Sequence, residues 1–163
     1  MKDFDWTSFT EKIAIRQNME VLYNAWAIPL EIEKWFLRSG DFFRNGNKIG
    51  SSAQIEAGDK YKWTWYLYEI TEVGKVIEAN GKDHIRFTFA GECLVDIKFY
   101  TEEDYTIVEL RQYNIPTDDD SKKNIRIGCN SGWSFYLVNL KSCYEHGADL
   151  RNKDERLKPM VNN

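Results

Sequence analysis

One long amphipathic segment near the end of the chain constrains the fold more than any other feature of the sequence. Between residues 128 and 146 the large apolar side chains recur at spacings of three and four, which predicts an α-helix with one apolar stripe. At roughly 1.5 Å per residue, this helix is about 28 Å long and long enough to cross a whole sheet. Gly147 follows as the expected C-cap. The stripe consists of Cys129, Trp133, Tyr136, Leu137, Leu140, Cys143 and Tyr144.

A β-sheet is the expected partner of this stripe, because the chain from about Ala53 to Tyr113 reads as strands. Runs rich in β-branched and aromatic residues are separated by turn signals such as Gly58-Asp59 and Asn80-Gly81. Regularly spaced turns of this kind are typical of an antiparallel meander. The predicted strands cover residues 60–70, 75–79, 84–90, 92–100 and 105–113. Together with the helix, they predict an α+β fold.

Alternation within the runs predicts which side chains share a face of the sheet. The sets are Ile85, Phe87 and Phe89; Cys93, Val95, Ile97 and Phe99; and Thr106, Val108, Leu110 and Gln112, the last being the expected inner set of its run. The run 60–70 is apolar on both faces, so alternation does not orient it. Asp96 and Glu109 belong to the opposite face, and we expect them on the surface. They would face a cavity only if the assignment of faces were shifted by one residue.

The first part of the chain predicts a strand followed by two short helices. Residues 9–17 alternate with one mostly apolar face, as a half-buried strand does. Asn18 then suits an N-cap, and the apolar residues behind it follow helical spacing. A second short helix is predicted over residues 30–37. Glycines and asparagines over residues 40–50 mark a loop region.

Length and composition place the chain among ordinary globular domains. With 163 residues, 42% of them apolar, we expect one domain over 1–163, with its core over about 9–151 and a loose tail over 152–163. Three cysteines without paired spacing do not suit a disulfide scaffold, and the charged N-terminus has no apolar signal region. No stretch approaches the ~20 apolar residues of a membrane span. These features predict a cytoplasmic location.

Charge and motifs exclude several classes of function. The net charge of −4 comes with no basic stripe, which argues against a nucleic-acid partner. Cys143 and His146 form one Cys-x-x-His pair with no second pair, so no metal site is predicted. The acidic run 118–120 is expected to begin a helix. No nucleophile elbow, phosphate loop or dinucleotide motif occurs, and we predict no catalytic residue and no cofactor.

The order of the predicted elements resembles the helix-grip fold of the START-like (SRPBCC) superfamily. Within it, the chain is similar to the domain family related to the activator of the heat-shock-protein-90 ATPase. The resemblance covers about residues 9–151 and is carried by three pieces of sequence. These are Ile13-Ala14-Ile15 with the helix Met19 to Trp26, Glu33-Lys34-Trp35-Phe36 at the end of the second helix, and Gly132-Trp133 with Gly147-Ala148-Asp149-Leu150-Arg151.

This resemblance implies a curved antiparallel sheet wrapped around the long C-terminal helix, with two short helices after the first strand and a cavity between sheet and helix. The inner sheet face, the second short helix and the helix stripe would line it. The candidate ligand-binding residues are Trp35, Trp63, Phe87, Phe89, Ile97, Phe99, Val108, Leu110, Gln112, Trp133, Tyr136, Leu137 and Leu140. The alternative is that these side chains close-pack and leave no opening.

Three functions stay open on the sequence alone. The leading hypothesis is a non-enzymatic binding module for an apolar or aromatic small molecule, lipid-like or polyketide-like, which the 15% aromatic content supports. The second is an interaction protein of the stress response, with a chaperone or a second copy of the chain as partner. The third is a small cyclase- or hydrolase-like enzyme, which requires ionisable groups that converge inside the cavity.

Overall fold

The computed structural model describes residues 3–163 and shows one antiparallel sheet of eight strands with a long helical segment packed on it. The strands are β1 (Phe9–Ile15), β2 (Ser39–Arg44), β3 (Asn47–Lys48), β4 (Lys60–Thr64), β5 (Thr71–Ala79), β6 (His84–Thr88), β7 (Leu94–Glu102) and β8 (Tyr105–Tyr113). Their order is β1-β8-β7-β6-β5-β4-β2-β3, so the first and last strands of the chain are neighbours. The sheet grips the long helix, as the predicted helix-grip fold requires.

The helices are α1 (Met19–Ala27), α2 (Pro29–Ile32), the short α3 (Asp119–Ser121) and α4 (Gly128–Lys141). Wider π-type turns over Lys122–Ile127 and Ser142–His146 join α3 to α4 and extend α4, so one helical segment runs from 119 to 146. The Asp118 carboxylate accepts a hydrogen bond from the Ser121 amide at 2.9 Å, which confirms the predicted acidic start. Among residues 3–163, no helix is long and apolar enough to cross a membrane.

The core lies between the inner face of the sheet and the stripe of α4. On the helix, Trp133, Leu137 and Leu140 are each at most 2% exposed. On β8 the predicted inner set is buried at every position, and the pattern alternates with half-exposed residues. The predicted phase of this strand is therefore confirmed. Gly147 adopts φ 69° after the helix, the left-handed conformation that glycine tolerates at a C-cap.

The loop predicted over residues 40–50 is wrong, because this segment forms the hairpin of β2 and β3. Its turn is Asn45-Gly46, with φ of 51° and 82°, a dipeptide that suits a two-residue hairpin loop. β2 then pairs with β4 and extends the sheet beyond the predicted meander. The prediction took the glycines as loop signals and overlooked the alternation that buries Phe42.

Two predicted elements are shorter than expected. The strand over 60–70 ends at Thr64, and the chain then bends through Leu67, which has φ 65°. The second helix ends at Ile32, and non-helical turns carry Trp35 and Phe36 into the core, where they are at most 2% exposed. Neither segment has a regular apolar period, so the burial of their aromatic side chains determines their conformation.

Hydrogen bonds tie the segment after α4, residues 149–151, to the rest of the protein. The Arg151 guanidinium, 8% exposed as a residue, donates to the carbonyl oxygens of Leu37 and Glu33 at 3.0 Å each. It also pairs with Asp149 at 2.9 Å. The buried Asn139 of α4 accepts from the Leu150 amide at 2.7 Å. Hydrogen bonds hold this segment, and an apolar pattern could not reveal them.

The outward-facing carboxylates of β7 and β8 are both engaged away from the core. Asp96, expected on the surface, lies on the outer face but is only 7% exposed, since Arg86 Nε at 2.8 Å and His84 cover it. Burial raises the pKa of the Asp96 carboxyl, but hydrogen bonds from His84, Tyr113 and Arg86 outweigh it and hold that pKa below its ordinary value. Glu109 pairs with Lys12 at 3.1 Å.

Candidate functional site

A cavity of about 400 Å³ lies between the N-terminal half of α4, the bend after β4 and the β6–β7 turn. This volume is within the range of small-molecule sites, roughly 300–1,000 Å³. The lining residues are Phe36, Trp65, Tyr68, Ile70, Glu72, Phe89, Ala90, Asn124, Gly128, Cys129, Gly132, Trp133 and Tyr136. Most of them come from irregular segments or from one helix face, and the sheet contributes mainly its end.

Aromatic rings form one connected wall of the cavity. Phe36 is at its centre, with its ring centroid 5.0 Å from that of Trp133, 4.9 Å from Tyr136 and 5.6 Å from Trp65. Phe89 continues the wall at 5.0 Å from Trp133. Trp133 and Tyr136 project together because positions three apart lie on one face of a helix. Rings at these separations hold each other in place and offer a flat apolar surface.

Two glycines on α4 keep the cavity open. Gly128 and Gly132 are four residues apart and therefore lie on the same helix face as Trp133 and Tyr136. A Cβ at Gly132 would meet no atom within 4 Å, so this position borders open space. At the rim, Tyr68 and Ile70 are 50% and 64% exposed, so the cavity opens to solvent on that side. A ligand therefore has a path to the aromatic wall.

Glu72 is the one carboxylate that lines the cavity. It is near the start of β5, where the inward positions of the strand point toward the helix, and it is half-buried. Its Oε1 atom accepts a hydrogen bond from the Ala90 amide at 2.8 Å, which fixes the side chain against the β6–β7 turn. Burial raises the pKa of the Glu72 carboxyl above its ordinary value. No lysine, arginine or histidine is among the lining residues.

The remaining polar groups of the wall are neutral or engaged. Burial raises the pKa of the Cys129 thiol to about 11, so the thiol is protonated at neutral pH and is a poor nucleophile. The Trp133 indole donates to Gln112 Oε1 at 3.0 Å. The Tyr136 hydroxyl donates to the Asn163 carbonyl oxygen at 2.9 Å. In the part of the chain that the structure describes, no cluster of three metal-ligating side chains occurs.

The structure brings only three of the thirteen candidate residues to the cavity: Phe89, Trp133 and Tyr136. The other ten lie in the close-packed core, at most 3% exposed: Trp35, Trp63, Phe87, Ile97, Phe99, Val108, Leu110, Gln112, Leu137 and Leu140. Trp63 and Phe87 also border a second void, but its volume of about 10 Å³ is too small for a ligand. Close packing therefore fills most of the predicted cavity.

Ten lining residues were absent from the sequence-based candidates: Phe36, Trp65, Tyr68, Ile70, Glu72, Ala90, Asn124, Gly128, Cys129 and Gly132. The signal that could have found some of them is the pair of glycines beside the apolar stripe of α4. A glycine beside an apolar stripe leaves room there, and the residues that follow these two glycines, Cys129 and Trp133, belong to the predicted stripe. Trp65 and Glu72 carried no such signal, since an unpredicted bend positions them.

A sheet that grips a long C-terminal helix, with an aromatic cavity beside that helix, defines a helix-grip α+β protein of the SRPBCC type. The model of one family within this class, the Activator of Hsp90 ATPase homolog 1-like proteins, matches residues 16–145. The chain therefore belongs to that family, as its strand-to-helix entry and its Gly-Trp helix predicted. No curated protein matches the chain significantly by sequence.

Solved structures with low sequence identity share the fold. The Aha1 dimer from Colwellia psychrerythraea is 19% identical, with 86% of this chain and 97% of that chain covered and a TM-score of 0.67. The HSP90 activator PFC0360w from Plasmodium falciparum is 18% identical, with 82% and 93% covered and a TM-score of 0.60. DynU16, a protein in the dynemicin biosynthetic locus, is 15% identical, with 90% and 50% covered and a TM-score of 0.69.

Proposed function

We propose that this protein binds a small, mainly apolar molecule in the cavity beside α4. The observation that carries the proposal is the cavity of about 400 Å³ with six aromatic rings in its wall. Such a wall contributes a large apolar contact area, and a few polar groups at its edge fix the orientation of a ligand. A lipid-like or polyketide-like molecule fits this chemistry, and the similarity to DynU16 supports the latter class.

Binding without catalysis is the favoured form of this proposal. The cavity has one half-buried carboxylate, Glu72, and a thiol, Cys129, that is protonated at neutral pH. Nucleophilic catalysis requires a thiol or hydroxyl that is activated by an adjacent base or a lowered pKa, and acid–base catalysis is commonly divided between two titratable groups with different pKa values. The lining offers no histidine, lysine or arginine for that role. Ligand storage, transport or sensing is therefore the activity that we assign.

A substitution that fills the cavity tests the proposal. Gly132→Phe places a ring where a Cβ meets no atom within 4 Å, and Gly132→Ala adds only a methyl group at the same position. Both replace a helical glycine, which favours helix stability by up to ~1 kcal/mol, so the fold should tolerate them. The probe is the neutral fluorophore N-phenyl-1-naphthylamine, titrated into each protein while its emission is recorded.

We expect the unaltered protein and Gly132→Ala to bind the fluorophore with similar affinity. Gly132→Phe should bind it at least about tenfold more weakly, because the added ring removes space and contact area. Equal binding by all three folded proteins, or no binding by any of them, would contradict the proposal. Native mass spectrometry of protein purified from cells can then identify the natural ligand.

A chaperone interaction is the second candidate function, and the apolar rim supports it. Tyr68 and Ile70 at the mouth of the cavity are 50% and 64% exposed. Exposed apolar side chains that are close together favour contact with another protein. The assay is the ATPase rate of an Hsp90 with and without this protein, with Tyr68→Ser and Ile70→Ser as variants. An unchanged rate at saturating protein would exclude this function.

A further inference from the structure

The charge of the cavity constrains its ligand more narrowly than its shape does. Among the thirteen lining residues, Glu72 is the one that is acidic and none is basic. Its Oε1 atom is held by the Ala90 amide at 2.8 Å, so the carboxylate has a fixed place at the β6–β7 turn. A ligand in the cavity must therefore lie beside a carboxylate that cannot swing freely into solvent.

In the described part of the chain, Glu72 has no cationic partner, unlike several of the other half-buried or buried carboxylates of the protein. Asp59 pairs with Arg44 at 2.9 Å, Asp96 with Arg86 at 2.8 Å, and Glu109 with Lys12 at 3.1 Å. Within residues 3–163, no basic side chain lies within 4.0 Å of the Glu72 carboxylate. Its ionised form is stabilised by the backbone amides of Ala90 and Gly91. Because no cation offsets the loss of solvation, burial raises the pKa of the Glu72 carboxyl above its ordinary value. A bound cation would lower this pKa again.

The rings around Glu72 suit a cation as well. Phe89 immediately precedes the residue that anchors the carboxylate, and its ring is 5.0 Å from Trp133 and 6.4 Å from Trp65. The faces of tryptophan, tyrosine and phenylalanine rings attract ammonium groups within about 6 Å, most strongly where water is excluded. A negative ligand group would meet a carboxylate and the negative faces of these rings, and the lining residues include no cationic side chain to offset them.

We propose that the ligand is an amine-bearing apolar molecule, whose protonated amine pairs with Glu72 and lies against the rings of Phe89, Trp65 and Trp133 while its apolar body covers the rest of the wall. This inference rests on the proposed binding function and specifies its ligand class. It also implies selection against carboxylic acids, including free fatty acids, because the cavity offers them no basic partner.

Three probes that share one ring system test this selection. They are 1-naphthylmethylamine, which is a cation at pH 7, the neutral 1-naphthalenemethanol, and the anion 1-naphthoate. Dissociation constants are measured by calorimetry for the unaltered protein, for Glu72→Gln and for Glu69→Gln. Glu69 is exposed on the same bend, so its variant changes the net charge equally without altering the cavity. The comparison of the three probes on the unaltered protein needs no variant.

We expect the amine to bind the unaltered protein about tenfold more tightly than the alcohol, the gain of one charge-assisted hydrogen bond. The acid should bind most weakly. In Glu72→Gln, the affinity for the amine should fall to the affinity for the alcohol. In Glu69→Gln, the amine should still bind about tenfold more tightly than the alcohol. Equal binding of amine and alcohol, or a preference that survives in Glu72→Gln, overturns this inference and leaves the binding function intact. If none of the probes binds, the binding function fails, and the inference with it.

Discussion

Glu72 illustrates how one residue can serve a site at a cost to the fold. Its carboxylate is half-buried beside aromatic rings, and its hydrogen-bond donors are the backbone amides of Ala90 and Gly91. A charged group in such a place is less well solvated than in the unfolded chain, so it lowers stability when it is ionised. Functional groups commonly carry this kind of cost, whereas structural carboxylates such as Asp59 have a cationic partner.

Replacing Glu72 by glutamine should stabilise the protein at neutral pH, by about 1 kcal/mol. The glutamine oxygen can still accept from the Ala90 amide, and the penalty for an ionised group is removed. Because folding raises the Glu72 pKa above its ordinary value of 4.5, the carboxyl is neutral in both states well below that pH. The gain measured by urea unfolding at pH 7 should therefore disappear near pH 4. A Glu72→Gln variant that is less stable than the unaltered protein at pH 7 would contradict this view.

At the scale of elements, the sequence predicted regular segments well and irregular ones poorly. The stripe of α4 and the inner face of β8 follow strict periods, and the structure confirms both. The bend over residues 65–70 has no regular apolar period. The cavity lies against this bend, so ten of its thirteen lining residues escaped prediction. The local pattern of apolar residues predicts which face of an element is buried. It does not predict where the buried side chains leave a cavity between them.

The docking of the C-terminal segment depends on Arg151. Its guanidinium binds two carbonyl oxygens of the α2–β2 connection and the Asp149 carboxylate. Arg151→Ala leaves those acceptors without donors in a buried place, so we expect a loss of about 3 kcal/mol in the free energy of unfolding. Arg156→Ala is the matched control, because its pair with Asp154 is surface-exposed and should contribute little to stability. Equal losses of unfolding free energy in the two variants would show that the hydrogen bonds of Arg151 stabilise the protein no more than a surface ion pair does.

For the whole molecule, the order of the elements alone did not predict how the strands of the sheet pair. The pairing of β1 with β8 and the addition of β2 and β3 beside β4 join segments that are far apart in sequence. Short-range periodicity contains no information on such pairings. The resemblance to a known family supplied the architecture instead, and the family match over residues 16–145 agrees with it.

Acid should unfold the protein through its paired carboxylates. Asp59, Asp96 and Asp149 each lose solvation on burial, but hydrogen bonds and cationic partners outweigh this and hold each pKa below the ordinary value of 3.8. A lowered pKa on folding contributes stability that is complete above that ordinary value and is lost as the pH falls through the folded-state pKa. Stability measured by urea unfolding should change little between pH 7 and 5 and fall steeply below about pH 4. A stability that rises steadily down to pH 3 would contradict these assignments.

The measurement that tests the central claim most directly is the response of the tryptophan indole signals in a ¹H–¹⁵N NMR titration with N-phenyl-1-naphthylamine. Trp65 and Trp133 line the cavity, whereas Trp35 is fully buried and donates to the Ala25 carbonyl oxygen at 2.9 Å. Binding in the cavity should move the Trp65 and Trp133 signals together and saturably, with Trp35 and Trp6, which do not line the cavity, nearly unchanged. If the Trp6 signal moves instead, or no indole signal moves at saturating probe, then the cavity is not a ligand site.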